Sequence, residues 1–229
     1  MTDTPPVADL AAALQRGAAA LGLELTAPQQ RQLLDYLALL QKWNRVYNLT
    51  AVREPAEMLT HHLLDSLAVI VPLRRQLQRM APADGRAFRL LDVGSGAGLP
   101  GVVIAICCPE LAVTCVDTVA KKASFIQQVA LSLKLPRLQG LHARVETLRG
   151  ADYDVVCSRA FAALADFVSW SRAALAPAGC WMAMKGRHPA DEIAALPSWA
   201  QVFHVEQLAI PGLAAERCLV WLRSQATAG

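Results

Sequence analysis

Leu90-Leu91-Asp92-Val93-Gly94-Ser95-Gly96-Ala97-Gly98-Leu99-Pro100-Gly101 is the stretch that governs the reading of this chain. It starts inside a short apolar run, Phe88 to Val93, which predicts a strand. It ends against a second apolar run, Val102 to Cys108, which predicts a compact helix stopped by Pro109. The glycines between them let the backbone turn sharply and approach a ligand closely. A strand, a glycine turn and a helix form the opening unit of an open α/β sheet. Ligands of such sheets bind in the crevice beyond the strand C-termini.

Two ligand classes compete for this loop. Gly96 to Gly101 formally satisfies the dinucleotide pattern GxGxxG, a weak signal alone. Counted from the strand end, the pattern is instead Asp-x-Gly-x-Gly-x-Gly over Asp92, Gly94, Gly96 and Gly98. An acidic residue at that place suits the ammonium group of S-adenosylmethionine (SAM) and sits poorly beside a pyrophosphate. Asp117 ends the next apolar run, Ala112 to Val116. Its carboxylate can accept both hydroxyls of an adenosine ribose, in either ligand class. The alternative is that Asp117 caps the following helix.

Outward from this unit the chain keeps alternating. Helical stretches are expected over Lys121–Leu135 and Leu164–Leu175. Strands are expected over Gln139–Ala143, Tyr153–Cys157, Cys180–Met184, Val202–Leu208 and Cys218–Leu222, with a turn at Pro177-Ala178-Gly179. The fold class is α/β: a Rossmann-like, doubly wound, mostly parallel sheet. Ala209 to Arg217 leaves no room for a crossover helix, so the last strand should run antiparallel. Residues 86–229 form this core. Residues 1–85 read as a helical extension packed on it, from Pro5–Gly22, a helix started by Thr26-Ala27-Pro28-Gln29, and a third helix from near Pro55. The third helix carries Leu59, Leu63, Leu67 and Ile70 and should end at Pro72 and the Pro82–Gly85 stretch.

Composition sets the outer bounds. The chain has 229 residues, 54% hydrophobic and 18% charged, enough for a sizeable core and too apolar for a disordered protein. Net charge is +3, but residues 41–89 alone carry +4, against −2 before them and +1 after. The six cysteines show no CxxC and no disulfide-like spacing, which suggests a reducing cytoplasm. Met1 to Asp9 has no basic residue, so no signal peptide is read there, and no run is long enough to span a bilayer.

The chain resembles the RsmG (GidB) family of 16S rRNA guanine-N7 methyltransferases. Lys42-Trp43-Asn44-Arg45-Val46-Tyr47-Asn48-Leu49-Thr50, His62-Leu63-Leu64-Asp65-Ser66-Leu67, Gly94 to Gly101, Ser158-Arg159-Ala160-Phe161 and Lys185-Gly186 carry the likeness. Cys218 stands where many members have His. The resemblance implies the class I SAM-dependent methyltransferase fold and methyl transfer from SAM to N7 of a guanine in 16S rRNA of the small ribosomal subunit. It implies cofactor contacts at Gly94, Leu99, Val145, Glu146 and Arg159. It also implies that Lys121, Arg144, Arg159 and Lys185 serve the RNA or the reaction centre. Lys42 and Arg45, with Arg53 beside them, join Lys121, Arg144 and Lys185 as candidate RNA contacts because the positive excess lies there. A cytoplasmic monomer is expected.

The residue chemistry agrees with that implication. Guanine N7 carries an in-plane lone pair and no proton, so its methylation needs positioning and no general base. After the fourth strand stands Ser158-Arg159-Ala160-Phe161, not the Asp/Asn-Pro-Pro-aromatic of amino methylation. Cys157 is read as a packed strand residue and not as a nucleophile. Arg159 and Lys185 are expected to hold phosphates or the cofactor carboxylate, and the alternative is a strand-end ion pair with Asp154 or Asp166. His61 and His62 point about 100° apart on a helix, so they cannot chelate together, and no metal site is read. No histidine is assigned to the site. Two rival functions are an NAD(P)-dependent oxidoreductase and a non-catalytic RNA-binding ribosome assembly factor.

Overall fold

A computed structural model describes residues 7–80, 85–150 and 152–225. Helix α1 spans Val7–Ala20 and α2 spans Ala27–Tyr47. Thr26 caps α2 with a full capping box: its hydroxyl accepts from Gln29 N, and the Gln29 side chain accepts from Thr26 N. At the other end Asn48 adopts the left-handed conformation (φ 48°) that closes a helix.

The third helix departs from expectation. Helix α3, Pro55–Met58, runs into a π-helical turn, Leu59–Leu64, then α4, Asp65–Leu67, and α5, Ile70–Leu77. Pro72 does not end the helical region. It sits in the first turn of α5, where a missing N–H costs no intrahelical bond. Of the expected terminator Pro82–Gly85, residues 82–84 lie outside the described residues.

The sheet follows. Strand β1 is Arg89–Val93, helix α6 Gly101–Cys107, β2 Ala112–Asp117, α7 Ala120–Ser132 and β3 Leu138–His142. Then come β4 Tyr153–Arg159, α8 Leu164–Ser171, β5 Leu175–Lys185, α9 Ala190–Ala194, β6 Ala200–Gln207 and β7 Cys218–Ser224. The strand order is β3-β2-β1-β4-β5-β7-β6, and β7 runs antiparallel to both its neighbours. The expected doubly wound, mostly parallel sheet with an antiparallel last strand is what the chain forms. Three local expectations change. Leu175 belongs to β5 rather than to the preceding helix. Pro177-Ala178-Gly179 makes a bulge inside β5, because Tyr153 pairs with Leu175 and Val155 with Cys180. Helix α9 adds to the expected elements: Ala190-Asp191-Glu192-Ile193-Ala194 buries no side chain, so it shows no hydrophobic stripe to read.

Alternation along β1 explains the layers. Leu90 faces a core shared with α2, the π turn, α5, α6 and α7, and Leu91 faces one shared with α8. The N-terminal helices therefore complete one face of the sheet. They also cap its helices: Gln29 Nε2 and Arg74 Nη2 donate to the Cys107 carbonyl at the end of α6, at 3.2 and 2.8 Å. Trp43 packs on Phe125 of α7, with ring centroids 5.4 Å apart. Tyr36 of α2, fully buried, donates its hydroxyl to Ala97 O at 2.8 Å and so reaches the glycine loop itself.

Candidate active site

The five parallel strands β1 to β5 end at one edge, and the loops beyond them shape a bipartite cavity. The glycine loop is pinned from β2. Gly94 N donates to Val116 O (2.9 Å) and Gly96 N to Asp117 Oδ2 (3.0 Å). Asp117 Oδ1 accepts from Val119 N at 2.9 Å, so its carboxylate both anchors the loop and opens α7. Lys122 reaches Asp117 Oδ2 at 3.5 Å.

One lobe, about 640 Å³, lies between Asp117, Val119, Lys122, Val145, Glu146, Phe161 and Trp170. Phe161 meets Trp170 edge-on, 5.8 Å between centroids at 82°. A carboxylate beside an apolar and aromatic wall is the composition a nucleoside needs. The second lobe, about 450 Å³, is lined by Thr50, His61, His62, Asp65, Arg159, Lys185 and Arg217. It is rich in cations. Gly94 and Ala160 belong to both lobes. Ala160 has φ +52°, a left-handed conformation that side chains disfavour.

The family model described as rRNA small subunit methyltransferase G (GidB) matches residues 29–220. The chain belongs to this family. A ribosomal RNA small subunit methyltransferase G of Acidovorax ebreus (strain TPSY) is 68% identical over 213 residues, covering 92% of this chain and 94% of the relative. One of Verminephrobacter eiseniae (strain EF01-2) is 62% identical over 231 residues, covering 96% of each. Among solved structures, TrmN of Thermus thermophilus superposes with a TM-score of 0.54 at 16% identity, over 96% of this chain and 80% of that one. A 16S rRNA (adenine(1408)-N(1))-methyltransferase variant from Catenulisporales acidiphilia gives 0.50 at 20% identity, over 63% and 88%. These two likenesses speak for the fold alone. As a member of the GidB family the chain is a SAM-dependent methyltransferase, and the oxidoreductase reading falls.

The cavity fits SAM. A Cβ built on Gly96 would meet no protein atom within 4 Å, so the loop leaves space where a ligand would lie against backbone. Gly94, Asp117, Val145 and Glu146 stand on the nucleoside lobe. Gly96, Leu99, Arg159 and Lys185 stand on the cationic lobe. Several expected site residues lie elsewhere. Asp92 is wholly buried and lines neither lobe. Its Oδ2 accepts from Gly101 N at 2.9 Å, so it holds the loop from below and is not placed to touch an ammonium group. Gly98 also lines neither lobe, and a Cβ there would lie 2.4 Å from Val102 Cγ2. It serves close packing against α6.

The cations sort in the same way. Arg144 lines the nucleoside lobe, pairs with Glu146 at 3.0 Å and is not brought beside Arg159 and Lys185. Lys121 is exposed and lines neither lobe, while its neighbour Lys122 faces the nucleoside lobe. Lys42 is exposed on α2. Arg45 borders a separate small cavity with Arg53 and Asn48. Arg159 pairs with Asp65 at 2.9 Å, and Lys185 with Glu192 of α9 at 2.7 Å. Neither partner is the anticipated Asp154 or Asp166, since Asp154 is taken by Arg86 at 2.7 Å. Both histidines line the cationic lobe, against the expectation that none would. His62 Nε2 lies 2.8 Å from Thr50 Oγ1, and burial, with Arg159 nearby, pushes its pKa down to about 4. Cys157 is fully buried, and that burial raises its thiol pKa, as befits a packing residue. Among the described residues no cluster of three or more His, Cys, Asp or Glu is placed to hold a metal. None of their helices is long and apolar enough to cross a membrane.

Burial pushes the Asp92 carboxyl up from 3.8 to about 7, against the opposing pull of Gly101 N–H and Arg159. Between those values the folded chain holds a proton that the unfolded chain has released. The associated stability is present at low pH and lost as pH rises through about 7. The melting temperature of the wild type relative to Asp92→Asn should therefore fall between about pH 4 and 7. A parallel pH dependence of the two would show that Asp92 ionises normally.

Proposed function

We propose that the chain transfers a methyl group from SAM to N7 of a guanine in 16S rRNA of the small ribosomal subunit, acting as a cytoplasmic monomer. The observation that carries the choice of acceptor is the state of the carboxylate on the cationic lobe. Among the described residues Asp65 is the one acidic residue lining it, and Arg159 and Arg217 each hold one of its oxygens at 2.9 Å. A carboxylate whose two oxygens are each engaged by a guanidinium has neither oxygen free to reach a proton on the substrate. Guanine N7 has no proton to give up, so the lobe needs only to hold the purine edge and exclude water. SAM, when bound, supplies an electrophilic methyl group. Asp117 and Glu146 would hold its nucleoside portion, and Arg159 and Lys185 would offer donors to guanine O6, an RNA phosphate or the cofactor carboxylate. The ring becomes cationic on methylation, so these side chains orient and do not stabilise the product charge.

Incubation with methyl-labelled SAM and naked 16S rRNA, small subunits or assembly intermediates tests the reading. One guanine should acquire label and yield a strand cut after borohydride and aniline treatment. Label on an exocyclic amine or a ring carbon would sink the N7 assignment, and RNA binding without turnover would favour the assembly-factor alternative. Binding should weaken steeply with salt, because each neutralised phosphate releases counterions. Lys42→Ala with Arg45→Ala should flatten that salt slope by about two units at most. An unaltered slope would place both side chains away from the RNA.

A further inference from the structure

Asp65 is a buried carboxylate that no step of the transfer uses. Its side chain is 3% exposed, and it ties together three distant parts of the chain. Asp65 opens α4 directly after the π-helical turn. Oδ2 accepts from Arg159, the last residue of β4, and Oδ1 accepts from Arg217 Nε, one residue before β7. Arg159 Nη1 also donates to His61 O at 2.9 Å, within the same π turn. A π turn re-aims the residues around it and recurs at functional sites. Here it presents a backbone carbonyl and a carboxylate to one guanidinium.

The bonding leaves donors over. Among the described residues, Arg159 Nε and Nη2 and Arg217 Nη2 have no protein partner. The two guanidiniums and one carboxylate keep a net positive charge on the wall of the cationic lobe. Without Asp65, two like charges would stand side by side with nothing between them to fix their spacing. We propose that Asp65 is the positioning residue of this lobe: it fixes Arg159 and Arg217 as one rigid pair whose remaining N–H groups receive a phosphodiester of the RNA next to the methylated base. The proposal rests on the RNA methyltransferase reading above. A fork of guanidinium N–H groups matches phosphate oxygens when its geometry is held, and holding it in advance removes the ordering cost of binding.

The experiment is single-turnover methyl transfer against RNA concentration for wild type, Asp65→Asn, Arg217→Lys and the double variant. SAM affinity and melting temperature are measured alongside. Asp65→Asn keeps the volume but loses the charge and one acceptor. Asp65→Asn and Arg217→Lys should each raise the RNA concentration for half-maximal rate by about tenfold to a hundredfold, the loss of one charged hydrogen-bond pair. Arg217→Lys should leave SAM affinity within about twofold. The double variant should be no worse than the poorer single one, because both changes break the same unit. In the nitrogen NMR spectrum the Arg217 Nε–H should exchange slowly in wild type and rapidly in Asp65→Asn. Multiplying effects in the double variant would overturn the proposal. So would an Asp65→Asn protein that melts lower but keeps the wild-type RNA dependence. Should Asp65→Asn fail to fold, Arg217→Lys decides alone, and an unchanged RNA dependence there overturns it. Wild type that methylates no ribosomal RNA would instead overturn the function.

Discussion

Gly96→Ala should fold as the wild type does and lose most of its affinity for SAM. Gly96 has φ +59°, and a Cβ there would meet no protein atom within 4 Å. The protein thus pays only for the left-handed backbone, about 1–2 kcal/mol. The new methyl group projects into space that a ligand would fill, on a loop whose Gly96 N–H is already bound to Asp117. Gly22→Ala supplies the control. Its φ of +72° imposes a similar strain, its Cβ also meets nothing, and it lies at the end of α1, lining neither lobe. The two variants should lose similar stability, and Gly96→Ala alone should bind SAM at least tenfold more weakly, as about 1.4 kcal/mol of lost contact implies. Gly94→Val differs from both. A Cβ there would sit 2.2 Å from Phe161 Cδ2, so the shared wall of the two lobes must move. That variant should lose both stability and SAM binding. Calorimetry on the folded proteins checks all three, and equal SAM affinity in Gly96→Ala and wild type would remove the glycine loop from the cofactor site.

The contrast among these glycines shows what the chain discloses before it folds. Local rules were enough for the capping box at Thr26 and Gln29, for Asp117 at the end of β2 and for the glycine turn, because each is decided within a few residues. They could not separate Gly96, which opens onto the cavity, from Gly98, which packs on Val102. Nor could they separate Lys121 from Lys122, since adjacent helix positions differ by about 100° and only the packed helix fixes which one faces inward. Asp65 and Arg217 lay inside or beside recognisable blocks, yet their meeting spans 152 positions and depends on the sheet order. The partner of Lys185 sits on α9, a short exposed helix with no apolar stripe. Asp92 is a related case. Its position at the end of β1 was right, but only the packing of Gly101 and Cys115 around it shows that the carboxylate points under the loop.

Arg159→Ala should slow single-turnover methyl transfer by about a hundredfold at saturating RNA and SAM, the scale of losing the alignment of the guanine with the methyl group. The fold should survive. Asp65 keeps its bond to Arg217, and the Arg159 side chain is 22% exposed, so truncation leaves no buried charge wholly unpaired. The pH profile carries the mechanistic weight. With N7 as acceptor no side chain removes a proton, and His62, held at about 4, stays neutral across the neutral range. Asp92 is the complication, because it titrates at about 7 beneath the loop. It makes no contact with either lobe, so any rate limb it causes reports the shape of the loop. The separating experiment is the profile in Asp92→Asn, where the rate should be flat from about pH 6.5 to 8.5. His61→Ala should leave that flat line at a similar height. A limb that persists in Asp92→Asn and vanishes in His61→Ala would identify a general base in the cationic lobe, and an acceptor bearing a proton would then replace guanine N7.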